Sequence, residues 1–217
     1  MKIYIIRHGE TFFNERGLLQ GWTNSDLNSF GVRLAEETGR SLCGVRFDAA
    51  FSSPLIRAYH TAEAVLRESG NDCPILTDDR IKEICIGDYE GKPYMAAENG
   101  EDMSFMKAYF ANPIYAPGFP NGEHVKDVMA RTQEFLKELA EKDYETVLVS
   151  THGCAMRCML NFLYDDPSDF WHGGVPLNCA VNIVDVHNGV IKLEKEDVLY
   201  YDASERIDRY SRITGKA

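Results

Sequence analysis

Two histidines and two arginines sit where side chains of their kinds can act together. The chain opens Met-Lys-Ile-Tyr-Ile-Ile-Arg-His-Gly-Glu-Thr, a β-branched and aromatic run from Ile3 to Ile6 that stops at Arg7, His8 and Gly9. His8 offers an imidazole that can be a nucleophile, a proton carrier or a metal ligand. Arg7 adds a planar fork suited to phosphate or carboxylate, and Gly9 a backbone free to turn sharply or approach a ligand closely. The pattern recurs at Thr146-Val147-Leu148-Val149-Ser150, a run of buried-strand length that ends in Thr151-His152-Gly153. Arg57 supplies a second guanidinium just beyond a third short strand, Asp48 to Ser52.

These residues act on one ligand only if the elements carrying them are aligned. Leu27, Phe30, Leu34, Thr38 and Leu42 form one stripe of a helix from about Ser29 to Leu42, capped by Asn28. Ser53-Pro54 reads as a helix start, with serine as cap and proline at the first helical position; this helix runs to about Ser69 and holds Arg57 in its first turn. Pro74 to Thr77 is a weak strand. Glu123 to Lys142 is the clearest helix, with Val125, Val128, Met129, Thr132, Phe135, Leu136 and Leu139 on one side. Another helix follows Gly153, and Asn178–Val186 and Val190–Lys195 read as two strands joined by the tight turn Asn188-Gly189. Strands alternating with helices imply an α/β fold: helices on both faces of a mostly parallel six-stranded sheet, with one antiparallel strand. Ligands of such sheets bind beyond the carboxyl ends of the strands, where Arg7, His8, Arg57 and His152 all fall.

Two arginines and two histidines at one sheet edge make a site for a dianion. The guanidinium forks match phosphate oxygens, one neutral imidazole can attack phosphorus, and a second can donate to the equatorial oxygens. Phosphoryl transfer needs mainly positioning and charge stabilisation, which this set supplies.

With 217 residues, 44% hydrophobic and 26% charged, the chain has ordinary globular composition. The net charge of −11 disfavours nonspecific nucleic acid or anionic membrane surfaces as partners, so an anionic substrate needs a locally positive pocket. The apolar run at the N-terminus is too short for a signal-peptide core and no stretch approaches a membrane span, which makes a cytoplasmic protein the expectation. Of the six cysteines only Cys154 and Cys158 are close in sequence, without a Cys-x-x-Cys pairing, so free thiols are expected.

Taken together, Arg7-His8-Gly9-Glu10-Thr11, Asn14, Ser52-Ser53-Pro54-Leu55 with Arg57 and Thr61-Ala62, Glu83 with Gly87 and Glu90-Gly91, and Thr151-His152-Gly153 resemble the histidine phosphatase superfamily, also called phosphoglycerate mutase-like. The matches keep the family's order from Ile3 to about Val186. The resemblance implies a single domain over residues 1–217, with His8 as the nucleophile that becomes phosphorylated. It implies further that Arg7, Arg57, His152 and Gly153 complete the phosphate pocket, that Asn14 adds a contact, and that Glu83 is the proton donor to the leaving alcohol. It implies no metal and no organic cofactor. Glu10, Asp88 and Glu90 are alternative acids close by in the sequence, and Asn14 can equally be a turn or cap residue.

From Gly91 to Gly122 the chain gains prolines together with Tyr94, Met103, Phe105, Met106, Tyr109, Phe110, Tyr115 and Phe119, and reads as an inserted helical cap over about residues 91–122. A mutase must hold a substrate carboxylate and retain a bisphosphorylated intermediate, yet this segment offers only Lys92 and Lys107 against Glu98, Glu101 and Asp102. A phosphatase acting on a small phosphomonoester is therefore expected. The aromatic cap suggests an alcohol with an apolar or ring component, an α-ribazole phosphate-like ester among the candidates. The alternatives are a phosphoglycerate mutase, or a phosphate-sensing or zinc-binding module without turnover. Two stretches depart from the family pattern: His124 stands where serine is usual, and Asn24-Ser25-Asp26-Leu27-Asn28 replaces a commoner Asp-x-Pro-Leu-Thr.

Overall fold

Strand β1 (Lys2–Arg7) lies inside a six-stranded sheet in the computed structural model, which describes residues 1–94, 104–202 and 204. The other strands are β2 (Ala49–Ser52), β3 (Ile75–Thr77), β4 (Thr146–Thr151), β5 (Val181–His187) and β6 (Val190–Val198), in the order β3-β2-β4-β1-β5-β6. β1 to β4 run parallel, β5 runs against β1, and β6 turns back against β5, so one strand opposes the others. Arg7 pairs in register with Thr151, and Ser52 with Ser150. The three parallel strand ends are thus level, and His8, Ser53 and His152 leave the sheet along one edge.

The alternation of side chains across the pleat decides which helix each residue meets. Ile6, Leu148, Ala50 and Val181 point to one face, against Leu34 and Ala35 of α2 (Ser29–Ser41) and Ala62, Val65 and Leu66 of α3 (Ile56–Ser69). Ile3, Ile5, Val147, Val149 and Val184 point to the other, against Phe135, Leu136 and Leu139 of α5 (Val125–Ala140) and Met156, Met159 and Leu160 of α6 (Gly153–Leu160). Each fully buried aliphatic side chain of this kind contributes about 1.5–3 kcal/mol over an exposed one, which fixes the height of the strand ends. Among the described residues the remaining α-helices are α1 (Phe12–Glu15) and α4 (Ser104–Ala111), the latter inside the expected cap.

Two helix starts differ from the sequence expectation. α3 begins at Ile56, after Pro54, because the Ser53 hydroxyl is turned towards His152 and reaches Leu55 N only at 3.3 Å. α5 begins at Val125, and its cap is His124, whose Nδ1 accepts from Lys126 N while Asp127 returns a bond to His124 N. The histidine that departs from the family pattern thus performs a serine's capping task. All six cysteines are free. No described helix is long and apolar enough to cross a membrane. Met103, Glu98, Glu101 and Asp102 lie outside the described residues.

Candidate active site

The edge where β1, β4 and β2 end is the floor of a cleft. His8 follows β1 and is almost fully buried, with Nδ1 2.7 Å from the carbonyl oxygen of Gly9. A carbonyl can only accept, so Nδ1 carries the proton and Nε2 keeps its lone pair. Burial, and after it the positive charges of Arg57 and Arg7, hold the His8 pKa well below the ordinary imidazole value, so the ring stays neutral. Asn178 Nδ2 donates to His8 O at 3.0 Å and steadies the same turn.

Gly9 is required for a reason its sequence position does not reveal. A Cβ there would lie 2.5 Å from the carbonyl oxygen of Gly31, and one on Gly31 would lie 2.0 Å from the Glu10 carbonyl. The first turn of α2 and the His8 turn thus approach backbone to backbone. The close partner of Gly9 is therefore another segment of the chain.

His152 follows β4 and its ring centre lies 5.2 Å from that of His8. Nε2 meets Ser53 Oγ at 2.8 Å, while Nδ1 is buried without a hydrogen-bond partner. Burial, then Arg57 and His8, hold its pKa well below the ordinary value. With Ser53 donating to Nε2, the neutral ring carries its proton on Nδ1, a buried donor available to a ligand oxygen.

The guanidinium of Arg57 is fully buried; its Nη2 donates to Gly21 O at 2.7 Å and its Nη1 to Thr23 O at 2.9 Å. Arg7 lines the cleft and donates to Pro176 O through Nη1. Gly153 opens α6 beside it: a Cβ there would stand 3.4 Å from Arg7 Nε. The amide oxygen of Asn14 accepts from Thr11 N and Thr11 Oγ1, closing the cap of α1, so the cap reading of this residue is the one the geometry displays.

Glu83 also lines the cleft, and its carboxylate accepts from Ile84 N at 2.9 Å, Ala155 N at 3.0 Å and Cys154 N at 3.2 Å. The last two are in the first turn of α6, where the helix dipole favours an acidic group. Among the described lining residues it is the one acid. The other candidate acids are occupied elsewhere: Glu10 accepts from Asn28 Nδ2, Asp88 from Asn121 Nδ2, and Glu90 from a neighbouring loop.

Above this floor the walls are apolar: Leu19, Ile84, Ile86, Tyr109, Phe110, Phe119, Trp171 and Val175, with Gln20 and Cys154 between them. The space amounts to about 550 Å³, the open solvent at its mouth included. Tyr109, Phe110 and Phe119 belong to the aromatic set noted in the sequence; Tyr115 is exposed and Phe105 packs on Tyr89 and Phe119. Sequence reasoning missed Ser53 as the partner of His152, Trp171 as a wall, and Arg131. The Arg131 guanidinium gathers the carbonyls of Arg80, Lys82 and Glu83 and pairs with Glu123, holding the segment that carries Glu83. Its signal, an arginine on an otherwise amphipathic helix, is indistinguishable from a solvated surface charge.

A neutral imidazole near two buried guanidiniums, with a second imidazole 5.2 Å away, is an arrangement suited to an anionic ligand such as phosphate. Residues 3–197 match the family model of the histidine phosphatase superfamily, branch 1, and the chain belongs to that superfamily. It is 32% identical over 211 residues to a 2,3-bisphosphoglycerate-dependent phosphoglycerate mutase of Methylobacterium sp. (strain 4-46), covering 93% of this chain and 98% of the relative. Among solved structures, Bacillus stearothermophilus YhfR superposes with a TM-score of 0.83 at 32% identity, over 92% of this chain and 98% of its own. The α-ribazole phosphatase from Shigella flexneri superposes with a TM-score of 0.77 at 25% identity, over 91% of this chain and 96% of its own.

Proposed function

We propose that this chain is a metal-independent phosphomonoester hydrolase that works through a phosphohistidine on His8. The observation that carries the reading is the fixed tautomer of His8: Nδ1–H is committed to Gly9 O, which leaves Nε2 as an unprotonated nucleophile between Arg7, Arg57 and His152. In the first half-reaction Nε2 attacks phosphorus and the bond from phosphorus to the ester oxygen breaks. Glu83 delivers a proton to that oxygen as the alcohol leaves. Arg7, Arg57 and His152 Nδ1–H take the charge on the phosphoryl oxygens, so the transfer needs no Lewis acid. In the second half-reaction water attacks phosphorus, its proton passes to Glu83, and the P–N bond breaks to give inorganic phosphate and neutral His8.

Hydrolysis is favoured over mutase chemistry by the cleft walls. Among the described lining residues Arg7 is the one cation, and it belongs to the phosphate floor. A carboxylate or second phosphate on the substrate would face Glu83 and aromatic rings, at a desolvation cost that no described lining residue other than Arg7 offsets. The walls instead suit an uncharged alcohol with apolar or ring surface, as the α-ribazole phosphatase likeness also suggests.

The test is release of p-nitrophenol from p-nitrophenyl phosphate by the purified full chain in the presence of EDTA. Turnover by wild type and none by His8→Ala is the expected result; undiminished turnover by that variant refutes the mechanism. Conversion of 3-phosphoglycerate primed with 2,3-bisphosphoglycerate, faster than its hydrolysis, would instead establish a mutase.

A further inference from the structure

The carboxylate of Glu90 gathers four donors from one short loop. Trp22 N reaches Oε1 at 2.6 Å, while Gly21 N at 3.1 Å, Thr23 N at 3.2 Å and Thr23 Oγ1 at 2.6 Å reach Oε2. The opposite edge of the same loop presents the Gly21 and Thr23 carbonyls to the two Nη atoms of Arg57. The peptide group joining Gly21 to Trp22 therefore stands between two charges, with its C=O on Arg57 and its N–H on Glu90. Charge-assisted bonds at both ends polarise that peptide in one sense, so each strengthens the other.

Two further features tie this loop to the reacting centre. A Cβ on Gly21 would lie 2.4 Å from the Ile84 carbonyl and 2.6 Å from Glu90 Oε1, so the loop is wedged between Glu90 and the segment that carries Glu83. The indole Nε1 of Trp22 donates to Glu83 O at 2.8 Å. With four donors already on its carboxylate, Glu90 is committed to the loop and is not a proton donor to a substrate.

We propose that Glu90 is a positioning residue which, through the Gly21–Thr23 loop, fixes the Arg57 guanidinium against an oxyanion bound at His8. An arginine held by both Nη atoms has lost most of its rotamer freedom, and where its charge stands beside the His8 and His152 rings is set by the two carbonyls. Without Glu90 the loop's N–H groups turn to water, the carbonyls shift, and the cradle loosens although no group that touches the oxyanion has changed. The proposal rests on reading this floor as a phosphate site, and its test separates the two.

Orthovanadate binding to the full chain is measured by titration calorimetry for wild type, E90Q, R57A and E90Q/R57A, alongside kcat, KM and the thermal midpoint. E90Q is expected to weaken orthovanadate binding about tenfold, the scale of one charge-assisted hydrogen bond, and to raise KM for p-nitrophenyl phosphate in parallel. In the R57A background E90Q is expected to cause no further loss, because its route to the oxyanion has been removed. A purely structural glutamate would lower the thermal midpoint in both backgrounds while leaving affinity within twofold of wild type; that result, or additive losses in the double variant, overturns the proposal. If E90Q fails to fold, E90D, with the charge kept on a shorter side chain, takes its place in the same cycle. A wild-type chain that binds orthovanadate without turning over ester refutes the phosphatase reading and still lets the cycle decide on Glu90; one that binds no oxyanion refutes both.

Discussion

Ser53 Oγ lies 2.8 Å from His152 Nε2, although the two residues leave the sheet from different strands, β2 and β4. Level strand ends make the meeting possible, and it settles which nitrogen of His152 is left for a ligand. Ser53→Ala removes the partner, leaves Nε2 buried and unsatisfied, and allows the proton to sit on either nitrogen. The expected result is a kcat/KM about tenfold below wild type, with Ser53→Thr retaining most of the activity because it keeps the hydroxyl. Steady-state kinetics with p-nitrophenyl phosphate checks it, and equal losses in both variants would show that the hydroxyl is not what matters.

Arg7, His8 and His152 were legible because each stands at the end of a strand whose apolar run announces it. Ile3, Ile5, Ile6 and Val147 to Val149 are buried, and the apolar continuity of the two runs places Arg7, His8 and His152 at one edge before any coordinates are known. Ser53, Arg131 and Trp171 were not legible because each acts across a contact between segments distant in sequence, made by loops with no periodicity. The Ser-Pro dipeptide even pointed the other way, since a serine before proline is the ordinary sign of a helix cap. The sequence leaves open whether Gly9 serves a sharp turn or the close approach of a ligand; in the structure the space a Cβ would take is filled by the backbone of Gly31. Local pattern fixes where a strand stops; it does not specify which loop closes over the end.

The two buried histidines impose a pH dependence whose direction follows from their environment. Both are held well below their ordinary value of 6.5, first by burial and then by the nearby arginines. Above 6.5 they are neutral in folded and unfolded chains alike and leave stability unchanged. As pH falls below 6.5 the unfolded chain takes up protons the folded one refuses, so stability drops, at most by about 1.4 kcal/mol per pH unit for each group until the folded values are reached. Urea denaturation at pH 7.5, 6.0 and 5.0 is expected to show this decline, and His8→Gln/His152→Gln to flatten it. The nucleophile is neutral above 6.5, so the acid limb of kcat/KM is expected below 6.5; a limb centred at 7 or above contradicts the neutral-imidazole assignment.

The apolar walls make a separable claim about the alcohol. Phe110 lines the cleft and stacks with Trp171 at 6.2 Å between ring centres, in a position to meet the ester group. Phe110→Leu retains most of the buried volume and removes the flat ring face. Relative to wild type, kcat/KM for 1-naphthyl phosphate is expected to fall about fivefold while that for methyl phosphate stays within twofold, since about 1 kcal/mol of aromatic contact is at stake for the larger ester only. Parallel losses with both esters would mean that the ring shapes the floor and does not meet the alcohol.

Glu83 is assigned two tasks, and the leaving group can pull them apart. Glu83→Gln keeps one oxygen for the bonds from Ile84 N and Ala155 N and gives up the one from Cys154 N, while Arg131 still holds the Glu83 carbonyl, so the segment is expected to stay in place. What is lost is the proton given to the alcohol and later taken from water. p-Nitrophenolate leaves without a proton, so phosphorylation of His8 by its ester is expected to remain fast in the variant. Hydrolysis of the phosphohistidine still needs a base and is expected to slow by about 10²–10⁴, the usual range for one general acid–base group. Rapid-quench measurement should then show a burst of p-nitrophenol equal to the enzyme present, followed by slow turnover, with the phosphoryl group retained on His8. An alkyl phosphate, whose alkoxide needs the proton to depart, should give no burst, because its first step becomes the slow one. Wild-type turnover of both esters by Glu83→Gln would remove this residue from the chemistry.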